Sequence, residues 1–300
     1  MAWKKLGKIY HMRPLHPKLN SHASNPLAVH LYDDVFRVFF SARDKKNRSS
    51  VGSVDIDILK LTIVKECDKP IISFGSKDSF YSHGISIGNL YSEKERNYIL
   101  FMGWNIRNNE HWRGDIGRLE VKKNFDLNLN SKQPFLTTDK EDEISLSYPF
   151  VMFHEGIYKM WYGSTLDWHS ENGEMIHVIK YATSSDGTNW VKHGIAIPFE
   201  IGKAQAFSRP IVLFEEKTYH MWYSYRSGDG TKYRIGYSKS FDGMMWECKN
   251  NESGIHVADS GWDSEMICYP FVIEHKNNKY MLYNGNEFGK YGFGIAIWEN

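Results

Sequence analysis

Asn25, Tyr148, Arg209 and Tyr269 each stand directly before a proline, and Gly88 stands where the second of five such prolines would fall. An amide, two phenols and a guanidinium bind ligands by hydrogen bonding and stacking. The forks of Arg209, Arg43 and Arg226 also match phosphate or carboxylate bidentately. Other chemistries leave no comparable trace. No phosphate-binding glycine loop, His-rich metal motif, serine elbow or dinucleotide fingerprint occurs at a usable spacing. The Asp186-Gly and Asp242-Gly turns lack the carboxylate ladder of a calcium loop. No cofactor and no metal are expected.

The prolines belong to a larger repeat. Phe36, Tyr98, Tyr158, Tyr219 and Tyr280 recur at intervals of 62, 60, 61 and 61 residues. Each opens a strand-like aromatic run, such as Tyr158-Lys-Met-Trp-Tyr162 and Tyr219-His-Met-Trp-Tyr223. Downstream, Tyr181-Ala-Thr-Ser-Ser-Asp-Gly-Thr-Asn-Trp190 matches Tyr237-Ser-Lys-Ser-Phe-Asp-Gly-Met-Met-Trp246 position for position. Asp-Gly between strand patterns is a tight-turn signal, because glycine accepts positive φ at little cost. Self-similarity at a fixed period means one supersecondary unit repeated so that neighbours bury each other's apolar faces.

Each unit therefore reads as four strands, and the chain as an all-β, five-bladed β-propeller of four-stranded antiparallel blades. The blades fall at roughly 11–75, 76–138, 139–200, 201–258 and 259–300 plus 1–10, within a single domain over 1–300. The last unit ends after three strands, while Trp3-Lys-Lys-Leu-Gly7 resembles Trp190-Val-Lys-His-Gly194, which opens a fourth strand. Residues 3–10 are expected to pair with the final blade and remove its exposed edge. A β-sandwich with accidental periodicity is the competing fold.

Charge narrows the partners. Lys and Arg number 37 against 36 Asp and Glu, so no long-range field favours nucleic acid or an anionic membrane. Ten Trp and 18 Tyr exceed what blade cores need and suit the apolar faces of sugar rings. Three scattered cysteines form neither a disulfide framework nor a metal knuckle. With no apolar signal-peptide core after Met1 and no run of 18 apolar residues, a cytoplasmic location is expected.

The x-Pro step, the Tyr-x-Met-Trp-Tyr strand and the Tyr-x-x-Ser-x-Asp-Gly-x-x-Trp turn together resemble five-bladed propeller carbohydrate enzymes: arabinanases and xylosidases, invertases and levansucrases, and mannoside phosphorylases. The resemblance spans essentially the whole chain and is more specific for fold than for reaction. It implies an active site in a funnel at the propeller axis, lined by the innermost strands and the loops leaving them. The x-Pro strands take that place here. They offer His22, Asn25, His83, Tyr148, Arg209, Glu265 and Tyr269, and the ends of the aromatic strands add Arg43, Asp44, Trp104, Asp167, Arg226, Asn286 and Glu287.

Glycoside hydrolysis uses two carboxylates, one as acid and one as base or nucleophile. Where the arabinanase-like and invertase-like families carry a first-blade aspartate, this chain has Asn25, and Arg209 stands where a fourth-blade acid would serve. The acidic-Pro-Arg element of mannoside phosphorylases is missing around Gly84 to Asn89. Glu265 is then the expected general acid and Asp44 its partner, with Asp167 and Glu287 in reserve. The ligand is a sugar or oligosaccharide, and the arginines with His22 and His83 allow it a phosphate, nucleotide or carboxylate group. Three readings stay open: a glycoside hydrolase, a cytoplasmic glycosyltransferase or phosphorylase of surface-polysaccharide biosynthesis, and a non-catalytic sugar-binding propeller.

Overall fold

The computed structural model describes residues 2–106 and 111–299. The chain opens with β1 (Ala2–His11) and continues through β2 (Ser21–Tyr32), β3 (Val35–Arg43), β4 (Ser49–Asp57) and β5 (Thr62–Glu66). The second group is β6 (Gly84–Glu93), β7 (Arg96–Ile106), β8 (Trp112–Val121) and β9 (Leu127–Leu129). The third is β10 (Ser145–His154), β11 (Ile157–Asp167), β12 (Ile176–Ser184) and β13 (Val191–Ile195). The fourth is β14 (Ala206–Glu215), β15 (Thr218–Arg226), β16 (Arg234–Ser240) and β17 (Glu247–Cys248). Finally come β18 (Cys268–His275), β19 (Asn278–Asn284) and β20 (Gly292–Glu299). Each of the first four groups is an antiparallel meander.

The fifth group draws its outer strand from the other end of the chain. β1 pairs antiparallel with β20, from Ala2 opposite Glu299 to His11 opposite Gly292, giving the order β18-β19-β20-β1. Burial explains the docking: Trp3 and Tyr10 are buried, and Trp3 meets Trp298 and Trp222 edge-on at 4.9 and 5.7 Å. The first strands of the groups touch in sequence, β2 with β6, β6 with β10, β10 with β14, β14 with β18, and β18 with β2.

Turns between the third and outer strands are set by local chemistry. Asp186 Oδ1 accepts the backbone N–H groups of Thr188 and Asn189 at 2.9 and 2.8 Å, and Gly187 takes a φ of 75°. Asp242 repeats the arrangement with Met244 and Met245, at Gly243. Gly243 also ties two groups together, since its carbonyl accepts the indole N–H of Trp161 at 2.8 Å.

The x-Pro steps are β-bulges. Between Ser208 opposite Ser224 and Ile211 opposite Trp222, Arg209 and Pro210 together face one residue of β15, and the ladder skips identically at Asn25-Pro26, Tyr148-Pro149 and Tyr269-Pro270. Proline suits the bulge because it has no N–H to leave unpaired. The residue before it adopts a left-handed backbone, with φ of 57° at Asn25, 36° at Tyr148, 51° at Arg209 and 55° at Tyr269. Such φ values cost non-glycine residues energy and concentrate where function over-determines the backbone.

In the second group the register corrects the sequence reading. Asn89, rather than Gly88, occupies the proline's place, and Gly88 aligns with the residue before it. A Cβ on Gly88 would lie 2.5 Å from the Leu100 carbonyl oxygen, so only glycine fits. Asn89 does what proline cannot, accepting the Val151 N–H at 2.8 Å and binding the neighbouring group.

Candidate functional site

Three of the bulges, at Asn25, Tyr148 and Tyr269, reach a cavity of about 270 Å³, at the small end for ligand pockets. First strands contribute Ser24, Asn25, Ser86, Tyr148, Ser208 and Tyr269. Second strands add Arg43, Trp104 and Arg226 at their ends, and third strands bring Ser49, Trp112 and His177 from their beginnings. Tyr233, just before β16, and Phe288, in the turn after β19, complete an aromatic side in which Tyr148 and Tyr269 lie 5.7 Å apart.

Three polar atoms of residues in this wall are left over, one of them the buried Nε of Arg226. The side-chain Oδ1 of Asn25 and the hydroxyl of Ser208 are buried without a hydrogen-bond partner, in residues only 2% and 4% exposed. Buried polar groups are almost always satisfied, so unpartnered atoms in residues that line a cavity mark places for a ligand or ordered water. Asn25 is otherwise fixed, its N–H donating to Asn284 Oδ1 at 2.9 Å. Trp104 is held by its indole N–H donating to Ser49 Oγ at 3.0 Å.

Charge in the wall comes from arginine. Arg226 donates to Glu174 at 2.8 Å and lies 4.8 Å over the Tyr233 ring. Half-buried Arg43 has no side-chain hydrogen bond or ion pair among the described residues. His177 sits between Ser147 and Thr165, at 2.6 and 2.8 Å from its two ring nitrogens. Burial, helped by Arg226, pushes its pKa down to about 4 and keeps the ring neutral. No carboxylate lines the cavity among the described residues.

Six of the residues singled out from sequence therefore meet at one site: Asn25, Arg43, Trp104, Tyr148, Arg226 and Tyr269. The remainder lie elsewhere. Arg209 is buried behind the wall and donates at 2.6 Å to both the Ile87 and Pro26 carbonyls, tying three groups together. Asp44 accepts Arg48 Nε at 2.9 Å and the N–H groups of Lys46 and Arg48 at 2.8 Å, which fixes the β3–β4 turn. Burial alone would raise its pKa, but those bonds outweigh it and hold the carboxyl below its ordinary value. Glu265 is exposed and paired with Lys232. Neither the expected acid nor its partner is in the described lining, and each carboxylate is engaged by a nearby cation.

Asn286 accepts the backbone N–H of Glu265 at 2.9 Å and so holds a loop, while Glu287 is exposed and bound to Lys290 and Tyr291. Asp167 accepts the His169 N–H at 2.9 Å. His83 lines a separate surface recess, its Nδ1 accepting the Ile106 N–H at 3.3 Å. His22 is 2.9 Å from Ser21 Oγ, with a pKa lowered to about 4 by burial and then by Arg43. No group of three or more His, Cys, Asp or Glu able to hold a metal occurs among the described residues.

Sequence reasoning missed the third strands. Ser49 lies opposite Arg43, Trp112 opposite Ile106 and His177 opposite Thr165, so each third strand begins where a second strand reaches the cavity. The serine two places before the repeated proline was an available signal, since Ser24 and Ser208 both line the site.

Over 302 residues, covering 100% of both chains, the sequence is 37% identical to "Uncharacterized protein Rv1502" of Mycobacterium tuberculosis (strain ATCC 25618 / H37Rv). The same values hold for "Uncharacterized protein MT1551" of the CDC 1551 / Oshkosh strain. The chain belongs to the Rv1502 family. No protein-family model matches it. In structure, this Rv1502 family member is similar to BT0996 in an RGII complex, with a TM-score of 0.78 at 14% identity over 99% of this chain and 93% of that one. It is similar to a glycosyl hydrolase from Bacteroides ovatus, with a TM-score of 0.71 at 14% identity over 99% and 90%. The Bombyx mori GH32 β-fructofuranosidase BmSUC1 gives 0.65 at 12% identity over 93% and 62%. The fold is thus all-β and shared with the propeller carbohydrate-active enzymes. No helix among the described residues is long and apolar enough to cross a membrane.

Proposed function

We propose that the chain is one five-bladed propeller domain, closed by β1, whose axial cavity recognises a sugar through aromatic faces and hydrogen bonds. The cycle of contacts among the first strands and the likeness to propeller glycosidases support the ring. One observation carries the ligand: the unsatisfied Asn25 Oδ1 and Ser208 hydroxyl stand in a wall that also holds Trp104, Trp112, Tyr148 and Tyr269. Sugar hydroxyls both donate and accept, which is what an orphan amide oxygen and an orphan hydroxyl need. Aromatic rings cover the apolar sugar face.

Recognition is favoured over two-carboxylate hydrolysis. Asp44 is committed to Arg48 and its own turn, and Glu265 to Lys232. The test is incubation with a panel of chromogenic aryl glycosides, wild type beside Glu265→Gln and Asp44→Asn. No enzyme-dependent release is expected. Release by the wild type that either substitution abolishes would restore the hydrolase.

A further inference from the structure

Among the cavity's charged side chains, Arg43 and Arg226 differ in a way that bears on which sugar fits. Arg226 has its counterion in Glu174 at 2.8 Å, so the pair adds no net charge to the wall. Arg43, at the end of β3, has no carboxylate, carbonyl or hydroxyl partner among the described residues, although it is half-buried and lines the cavity. The other arginines with described side-chain bonds illustrate the contrast. Arg37 and Arg118 hold Asp55 and Glu93, and even buried Arg209 donates from both terminal nitrogens to carbonyls. A half-buried guanidinium with an open fork is a receptor for an anion, because withdrawing it from water without a partner is costly.

The surroundings keep that charge uncompensated. Aspartate and glutamate are absent from the described lining, and Glu287, next to the lining residue Phe288, is bonded to Lys290 and Tyr291. Asn25 Oδ1 and the Ser208 hydroxyl supply a second, independent pointer to a ligand in the same cavity. Their chemistry suits hydroxyls, and that of Arg43 suits an anionic oxygen.

The geometry points to an acidic sugar as the ligand, its hydroxyls on Asn25 and Ser208 and its carboxylate or phosphate on the guanidinium of Arg43. This inference rests on the sugar-binding reading and adds the substrate class. Arg43 is a specificity-determining residue here, separate from the groups that bind the ring.

Isothermal titration at fixed ionic strength tests it with three ligands sharing one ring, glucose, glucuronate and glucose 6-phosphate, and with the matched galactose and mannose sets. At least tenfold tighter binding of an acidic member over its neutral parent is expected, and which acid wins tells carboxylate from phosphate. Arg43→Gln should erase that preference while leaving the melting temperature unchanged, since the Arg43 side chain makes no bond among the described residues. Equal binding of acidic and neutral sugars, or a preference that survives in Arg43→Gln, overturns the assignment of Arg43 while leaving sugar recognition intact. Absence of binding by every sugar overturns both readings. Inorganic phosphate binding as tightly as the sugar phosphate would show an anion site with no sugar selectivity and also overturn it.

Discussion

Arg209 shows how the residue before a repeated proline can be important without lining the cavity. Its fork spans two carbonyls from two other groups, 2.6 Å from each. Burial lowers its pKa to about 10, still far above neutrality, so it remains a cation. A lysine carries the charge but not the planar fork. Arg209→Lys should therefore lose about 2 kcal/mol of stability through one unsatisfied buried carbonyl, measured by urea unfolding. A loss below about 0.5 kcal/mol would contradict the bridging role. His177 makes a pH prediction. Its folded pKa of about 4 lies below the unfolded value of 6.5, so the unfolded state binds more protons between those values. Stability is full above pH 6.5 and falls as pH drops toward 4, by about 3 kcal/mol for this residue. His22 shifts the same way and shares the window. His177→Gln should flatten the dependence between pH 7 and 4.5, and an unchanged profile would contradict the neutral buried ring.

Among the elements, the bulge decides what reaches the cavity. Two residues facing one bends each first strand, and the left-handed residue before proline redirects the side chain. This device was legible in sequence because proline is restrictive enough to repeat visibly. Its second copy was misaligned by one residue, since Gly88 and Asn89 reproduce the bulge without proline. Gly88→Ala should destabilise by about 2 kcal/mol through overpacking against the Leu100 carbonyl, read by thermal unfolding, whereas a neutral result would contradict that register. The strand ends at Arg43, Trp104 and Arg226 were legible because the aromatic runs mark the second strands. Third-strand residues such as Trp112 and His177 were not, because their approach depends on antiparallel register, which periodicity does not reveal. For Glu265 and Asp44 the surroundings were not legible either: sequence shows a carboxylate but not that Lys232 or Arg48 engages it.

Across the whole molecule, the two ends of the chain meet in one sheet. The outer strand β1 contributes Trp3, Ile9 and Tyr10 to the core and covers the edge of β20. A chain lacking residues 2–11 should lose its cooperative thermal transition, monitored by near-ultraviolet circular dichroism. A sharp transition within a few degrees of the intact chain would contradict closure by this strand. The five-fold repeat made the all-β fold readable and the echo of Trp190 at Trp3 the pairing of β1 with β20, whereas the reaction was not, because aromatic strands and Asp-Gly turns build the scaffold whatever the cavity does. Sugar recognition at that cavity is tested most directly by tryptophan fluorescence titration of the intact chain with neutral and acidic monosaccharides, because Trp104 and Trp112 line the site. A saturable change that Asn25→Ala weakens at least tenfold is the expected result, and the absence of a saturable response to any sugar, or a response indifferent to Asn25, would contradict it.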